Sequence, residues 1–311
     1  MITLQRLEEY SPTPAGAVVS IGNFDGVHRG HAAILLQARV RAAELRARQV
    51  VITFEPHPMA VLAPQRAPAR LTRLEDKLRL LAEAGVDACI VLKADAALLS
   101  LEAEAFLDLV VTNLRPRAFV EGPDFNFGRG RGGSVETLRA AGDRLGFAVT
   151  VVAALHCDEL PGRPTISSSS IRTALAEGRV ADARRMLGRP HRVTGRVGHG
   201  QNRGAALGFP TANLVDVEQV LPGHAVYAAV AELPDGRRFA AAVNVGPQPT
   251  FGQDVSRVEA HLIGFSGGLR GASVGLGFVE RIRGQQKFGS IDALAAQIRE
   301  DVRQIARVVE L

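Results

Sequence analysis

Between residues 17 and 153, short apolar runs alternate with segments of helical periodicity, and no other feature constrains the fold as strongly. The runs cover 17–21, 50–54, 88–92, 117–120 and 147–153. The helical patterns cover 32–48, 74–84, 102–114 and 134–145. A strand that reads as apolar throughout is covered on both faces, which requires helices packed above and below it. The repeated strand–helix order therefore predicts an α/β domain with a doubly wound parallel sheet. Ligands on such sheets bind at the carboxyl ends of the strands.

Two shorter helices are expected at 168–177 and 180–187, and Leu187-Gly188-Arg189-Pro190 reads as a boundary. Beyond it the texture changes. The β-type runs 191–197, 225–231, 238–245, 257–263 and 274–283 are separated by Gly/Pro-rich turns with no helix between them. That pattern suggests a small antiparallel β-barrel. A closing helix from Ser290 carries Ile291, Leu294, Ile298, Val302 and Ile305 as an apolar stripe for core packing. The expected domains are 1–187 and 188–311.

Composition narrows the setting. No apolar run approaches a membrane-spanning length, and the first ten residues lack a signal-peptide layout. Cys89 and Cys157 cannot form a disulfide framework, which fits a reducing cytoplasm. The net charge of +5 is spread along the chain without a basic block. This favours small anionic ligands over nucleic acid or a membrane. A monomer or weak homo-oligomer is expected.

The sharpest motif is Gly22-Asn23-Phe24-Asp25-Gly26-Val27-His28-Arg29-Gly30-His31. It joins the first apolar run to the first helical pattern, where backbone N–H groups and the helix dipole favour an anion. Gly22, Gly26 and Gly30 permit close backbone approach. His28 and His31, three apart, can face one phosphate. No Gly-Lys-Ser/Thr follows, so this is not a Walker loop. No Cys, Asp or Glu stands at zinc-ligand spacing from the two histidines.

Three further segments carry chemistry in this half. Thr53-Phe54-Glu55-Pro56-His57-Pro58 is a proline-stiffened loop suited to stacking on a flat heteroaromatic ring. Glu121–Gly133 holds Asp124, Phe125, Phe127, Arg129, Arg131 and five glycines, so it can form an anion-binding loop. Ile166-Ser167-Ser168-Ser169-Ser170-Ile171-Arg172 offers hydroxyls at a helix N-terminus and a guanidinium fork for phosphate oxygens.

In the second half, Gly195–Gly204 is glycine-rich and can wrap phosphates. In Pro210-Thr211-Ala212-Asn213, Thr211 and Asn213 project to the same face of an extended chain. Both supply oxygen, and both can serve one Mg²⁺.

Together these motifs resemble the prokaryotic bifunctional riboflavin kinase/FMN adenylyltransferase (FAD synthetase) family. Gly22–His31 resembles its His-x-Gly-His nucleotidyltransferase signature. Leu207-Gly-Phe-Pro-Thr-Ala-Asn-Leu214 resembles its riboflavin kinase signature. Asn244–Gly252, Val258–His261 and the Arg283–Phe288 run match in order.

The resemblance implies an N-terminal nucleotidyltransferase domain that converts FMN to FAD, and a C-terminal barrel that phosphorylates riboflavin. ATP, riboflavin and FMN are the implied substrates, FAD the product, and Mg²⁺ the metal. It implies catalytic roles for His28, His31, Arg172 and Glu259, the last as base for the riboflavin 5′-hydroxyl. Nucleotide contacts fall to Gly22, Phe24, Asp25, Gly30, Asp124, Ser168, Ser169, Gly195, Gly204 and Thr211. Flavin contacts fall to Phe54, Pro56, His57, Tyr227, Phe251 and Arg283, and metal ligation to Thr211 and Asn213.

Overall fold

The computed structural model describes residues 1–199, 208–247 and 256–309. They form two compact units. The first comprises Met1–Pro68 and Arg73–His156, and the second Ala69–Thr72 and Cys157–Leu311.

The first unit is built on a six-stranded sheet of β1 (Ile2–Leu4), β2 (Ala17–Ile21), β3 (Arg48–Glu55), β4 (Ala88–Lys93), β5 (Pro116–Glu121) and β8 (Ala148–Val151). A short hairpin of β6 (Asn126–Phe127) and β7 (Gly133–Ser134) stands apart. The strand order is β1-β4-β3-β2-β5-β8, and every pairing is parallel. The helices are α1 (Arg29–Leu45), α2 (Pro58–Leu62), α3 (Leu74–Glu83), α4 (Ala96–Leu99), α5 (Ala103–Leu114) and α6 (Val135–Leu145).

Buried clusters lie on both faces of the sheet, one around Val19, Ile52 and Phe119, another around Val18, Ala38 and Val120. The doubly wound expectation holds. The edge strand β1 escaped it, because its three residues, two exposed and one half-buried, carry no apolar run.

Chain direction across the sheet reverses between β2 and β5, and a crevice at that switch point is where such sheets bind ligands. Both glycine-rich loops of the first unit leave the sheet there, one after Ile21 and one after Glu121. The two strand ends are tied directly. The Ile21 N–H donates to Glu121 Oε1 at 2.8 Å, and Ser20 Oγ donates to the Val120 carbonyl at 2.8 Å.

The second unit contains a closed barrel of six strands in the order β10-β13-β12-β11-β14-β9, all antiparallel. They are β9 (His191–Val197), β10 (Ala212–Val215), β11 (Ala225–Glu232), β12 (Arg238–Pro247), β13 (Ser256–Leu262) and β14 (Ser273–Arg283). Five match the predicted runs. The sixth, β10, starts directly after Thr211 and carries Asn213, and it closes the barrel between β9 and β13. Two helices, α7 (Ser168–Ala176) and α8 (Val180–Leu187), and the closing helix α9 (Ile291–Val308) complete the unit.

Helix α9 packs Ile305 and Val309 against Ala228 and Ala240. Leu294, Ile298 and Val302 are partly buried, but Ile291 is 70% exposed in the first turn and stands outside the stripe. Asp301, a carboxylate on the buried side, is not explained by the apolar pattern. It accepts from Arg283 Nε at 3.0 Å and Nη2 at 2.8 Å, and from Gln297 Nε2 at 2.9 Å. Removing one partner of a buried ion pair typically costs about 3–5 kcal/mol, whereas an apolar replacement of both is often neutral. Arg283→Met is therefore expected to lower unfolding free energy by about 3 kcal/mol in urea titration, with Arg283→Met/Asp301→Leu recovering most of it. Equal loss in the single and double variants would show that the pair does not anchor α9.

The compact units divide at 156/157, so the expected boundary at 187/188 falls inside the second of them. Helices α7 and α8 belong with the barrel, where Ile171, Leu175, Ala183 and Met186 are buried and the Gly223 N–H donates to Leu175 O. Residues 69–72 also join the second unit. Arg70 bridges Gln219 in parallel β fashion, the Val220 N–H donates to Arg70 O at 2.8 Å, and Arg70 pairs with Glu218 at 3.2 Å. Leu71 is buried there.

Burying a large apolar side chain contributes about 1.5–3 kcal/mol. A fragment from Cys157 to Leu311 is thus expected to melt about 10 °C or more above one from Gly188 to Leu311. Coincident melting curves would show that α7 and α8 add nothing to the barrel.

Candidate active sites

In the first unit the Gly22–His31 loop is conformationally costly. Phe24 and Val27 are non-glycine residues at φ 46° and 37°, and Gly26 lies at 85°. Such left-handed residues persist only where the surroundings over-determine them, and they concentrate at functional sites. Phe24, Asp25 and His28 are buried.

His28 caps α1 through its side chain, with Nδ1 accepting from the His31 backbone N–H at 3.3 Å. The cap explains why α1 begins at Arg29, three residues before the apolar periodicity does. The two imidazoles stack with centroids 3.7 Å apart and planes 16° apart, and Phe24 packs on His31 at 5.1 Å. The pair is thus held as one block at a helix N-terminus, where an anion is favoured. Gly30 lies in the same first turn, half-buried.

Beside this loop is a cavity of about 480 Å³ lined by Gly22, Asn23, Phe54, His57, Asp124 and Phe125, among others. Phe54 lies at the end of β3 and Pro56 and His57 link it to α2; the His57 side chain accepts from the Met59 N–H at 3.1 Å, fixing the ring at the start of α2. The predicted flavin-loop residues Phe54 and His57 and the predicted polar residue Asp124 therefore share one chamber. Arg131 lines it too, whereas Arg129 is paired with Glu102. Glu121, given no role in the sequence reading, is buried at the switch point. Burial pushes its carboxyl well above the usual carboxylate range, opposed by the hydrogen bond from Ile21.

The serine run lies in the second unit. Its cap is made by Ser167 Oγ, which accepts from the Ser170 N–H at 3.1 Å, while Ser170 Oγ donates to Thr165 O at 2.8 Å. Ser168 and Ser169 occupy the first helical positions, with Ser169 exposed. Arg172 Nε donates to Ala69 O at 2.6 Å.

On the barrel, Asn213 stands opposite Glu259 across β10 and β13, and Glu259 stands opposite Asn244 across β13 and β12. Directly opposed residues share a face, so a carboxylate is flanked by two carboxamides. Glu259 Oε1 pairs with Arg257 Nε at 3.0 Å. Thr211 and Asn213 line a cavity of about 430 Å³ with Gly198, His199, Phe265 and Arg270. Asn213 Oδ1 is buried without a hydrogen-bond partner. An unpaired oxygen beside a hydroxyl is what a hard cation requires.

Two families of known proteins match. The FAD synthetase family model matches residues 11–169, and the riboflavin kinase family model matches 187–309. The bifunctional riboflavin kinase/FMN adenylyltransferase of Escherichia coli (strain K12) is 39% identical over 92% of this chain and 90% of its own length. The chain belongs to the bifunctional riboflavin kinase/FMN adenylyltransferase family.

The Haemophilus influenzae member is 39% identical over 92% of both chains. A solved structure named as a macrolide-efflux protein from Streptococcus pneumoniae superposes with a TM-score of 0.88 at 29% identity, covering 99% of each chain. No helix among the described residues here is long and apolar enough to cross a membrane.

Some residues that the family resemblance nominated stand elsewhere than expected. Tyr227 is fully inside the barrel, edge-to-face with Phe278 at 5.4 Å, and its hydroxyl donates to Gly223 O. Its side chain packs the core. Arg283 is committed to Asp301, with Phe288 5.6 Å below its guanidinium. Gly195 is a strand residue of β9 where a Cβ would come within 2.8 Å of Val215 O, so packing alone demands glycine there. Gly204 and Phe251 lie outside the described residues. Among the described residues there is no group of three or more His, Cys, Asp or Glu placed to hold a metal ion.

Proposed function

We propose that the chain makes FAD from riboflavin in two steps at two sites. The barrel transfers the γ-phosphoryl group of ATP to the riboflavin 5′-hydroxyl, giving FMN and ADP. The α/β unit supports attack of the FMN phosphate on the α-phosphorus of a second ATP, giving FAD and pyrophosphate. The observation that carries this reading is the coexistence of the stacked His28–His31 block beside an aromatic chamber and the Asn213–Glu259–Asn244 row on the barrel. Family models for both activities match the corresponding parts of the chain.

In the kinase step Glu259 accepts the hydroxyl proton as the 5′-oxygen attacks, and the two flanking carboxamides orient the alcohol. Thr211 and Asn213 would hold Mg²⁺, which would supply charge neutralisation at the ATP phosphates. In the adenylyl step FMN already carries an anionic nucleophile, so no strong base is needed. Alignment and charge neutralisation by His28 and His31 supply the acceleration. Gly22, Asp25 and Gly30 shape the phosphate loop, and Phe54, Pro56, His57 and Asp124 receive the flavin and nucleotide.

The enzyme acts on small molecules in the cytoplasm, with no nucleic-acid or membrane role, as a monomer or weak homo-oligomer. Cys89 and Cys157 are buried and form no disulfide, which supports this setting; burial pushes the Cys89 thiol up to about 12.

Incubating the full chain with riboflavin, ATP and Mg²⁺, with chromatography of the products, tests the proposal. FMN should rise first and FAD follow with pyrophosphate. Turnover of FMN without any turnover of riboflavin would reduce the chain to an adenylyltransferase. The metal assignment has its own test. Asn213→Ala is expected to raise the Mg²⁺ concentration for half-maximal kinase rate about tenfold or more, with adenylyl transfer from FMN unchanged. An unaltered Mg²⁺ dependence would remove Asn213 from the metal shell.

A further inference from the structure

Asn23 brings a buried, unpartnered polar atom to the chamber of the first unit. Asn23 lines the cavity, and its Oδ1 is buried without a hydrogen-bond partner. Buried polar atoms nearly always have one, and leaving an acceptor unmade is expensive. The main chain cannot swing to provide a partner. Thr53 Oγ1 donates to the Asn23 carbonyl at 3.2 Å, and Lys77 Nζ in turn donates to Thr53 Oγ1 at 3.4 Å, with Lys77 itself buried. Asn23 is therefore held in place with an oxygen that awaits a donor.

We propose that Asn23 positions FMN by accepting a hydrogen bond from a hydroxyl of its ribityl chain. This rests on the adenylyl-transfer reading above. Position along the chamber selects the donor. The next residue, Phe24, packs on His31 at 5.1 Å, so Asn23 adjoins the phosphate-handling end. Phe54, Phe125 and Phe127 also line the cavity and suit the flat isoalloxazine ring. Between phosphate and ring lies the ribityl chain, whose hydroxyls are donors.

Ionised phosphate oxygens donate nothing. The oxidised ring carries one N–H, at N3, on the pyrimidine ring rather than on the central ring that bears the ribityl chain. A hydroxyl fits the orphaned oxygen at that depth better than either. Asn23 is thus a positioning residue: it discriminates flavin phosphates by their sugar-alcohol linker and places the nucleophilic phosphate before the histidine pair.

The test measures kcat/KM for FAD-analogue formation from FMN, its 2′-, 3′- and 4′-deoxy analogues, and 3-methyl-FMN. The enzymes are the full chain and its Asn23→Leu, Asn23→Ala and Asn23→Asp variants. In the unaltered protein one deoxy analogue should lose about tenfold or more. Leu and Ala should lose the same factor with FMN, mainly in KM, and should no longer distinguish that analogue. Asp, which keeps the acceptor, should retain the discrimination.

A wild-type enzyme that treats all three deoxy analogues like FMN overturns the proposal, whatever the variants do. So does discrimination that persists in Leu and Ala, or discrimination confined to 3-methyl-FMN, which assigns the oxygen to N3–H. Rates of riboflavin phosphorylation and melting temperatures report whether each variant is folded. Failure of the unaltered chain to adenylylate FMN at all would instead reject the parent reading.

Discussion

Replacing His31 by alanine is expected to abolish measurable FAD formation from FMN and ATP while FMN formation from riboflavin continues at its normal rate. Loss of a donor aimed at developing phosphate charge typically costs about 10²–10³ in kcat. His31 belongs to a stacked pair, so the remaining imidazole also loses its alignment. The position is a cleaner probe than His28. His28 caps α1, and deleting a cap costs about 0.5–2 kcal/mol of stability as well as chemistry. His31 is inside the helix, where alanine is the best helix former. Assays of both activities on one preparation decide the matter, and a parallel fall in both rates in a folded protein contradicts the division of labour.

Glu259→Gln should produce the opposite pattern. Positioned acid–base groups contribute about 10²–10⁴-fold. Phosphoryl transfer depends mostly on alignment and charge, so a fall of about 10² in kinase kcat is expected. KM for ATP should change little, and adenylyl transfer should be unaffected. Glutamine keeps the size of the side chain but cannot accept the proton. The ion pair with Arg257 offers a rival explanation, in which Glu259 only holds a surface arrangement. Arg257→Met separates the two, because it breaks the pair and leaves the base. Equal losses in Glu259→Gln and Arg257→Met would make Glu259 structural.

Much of this architecture was legible in the residues because local chemistry carried it. Buried parallel strands are apolar throughout, so β2, β3, β4 and β5 announced themselves. The barrel strands did so through their β-type runs and Gly/Pro-rich turns. The loop motifs were legible for the same reason: glycines, histidines and consecutive hydroxyls have few alternative uses at a strand-to-helix crossing.

What escaped depends on partners distant in sequence. β1 is three residues long and exists only through its pairing with β4. β10 reads as a turn until β9 and β13 flank it. Asp301 in the buried side of α9 makes sense only against Arg283, eighteen positions away. The placing of residues 69–72 with the second unit rests on a bridge to Gln219 that no local pattern encodes.

Among site residues, resemblance identified chemical types better than orientations. Tyr227 follows the alternation of β11 into the barrel interior, while Glu259 alternates outward on β13 between the buried Val258 and Ala260. A one-residue change of register reverses that outcome, so neither could be assigned a face before the pairing was known. Asn23 and Glu121 were in quoted motifs yet unremarked. Their significance lies in burial and in missing or single hydrogen bonds, which sequence does not display.

The central claim is that two separate sites act in succession, with FMN as the product of one and the substrate of the other. Mixing the His31→Ala and Glu259→Gln proteins with riboflavin, ATP and Mg²⁺ tests it most directly. The first variant alone should accumulate FMN, the second alone should leave riboflavin essentially unconverted, and the mixture should form FAD. Failure of the mixture to make FAD, although each variant retains its single activity, would contradict two independent sites linked by released FMN.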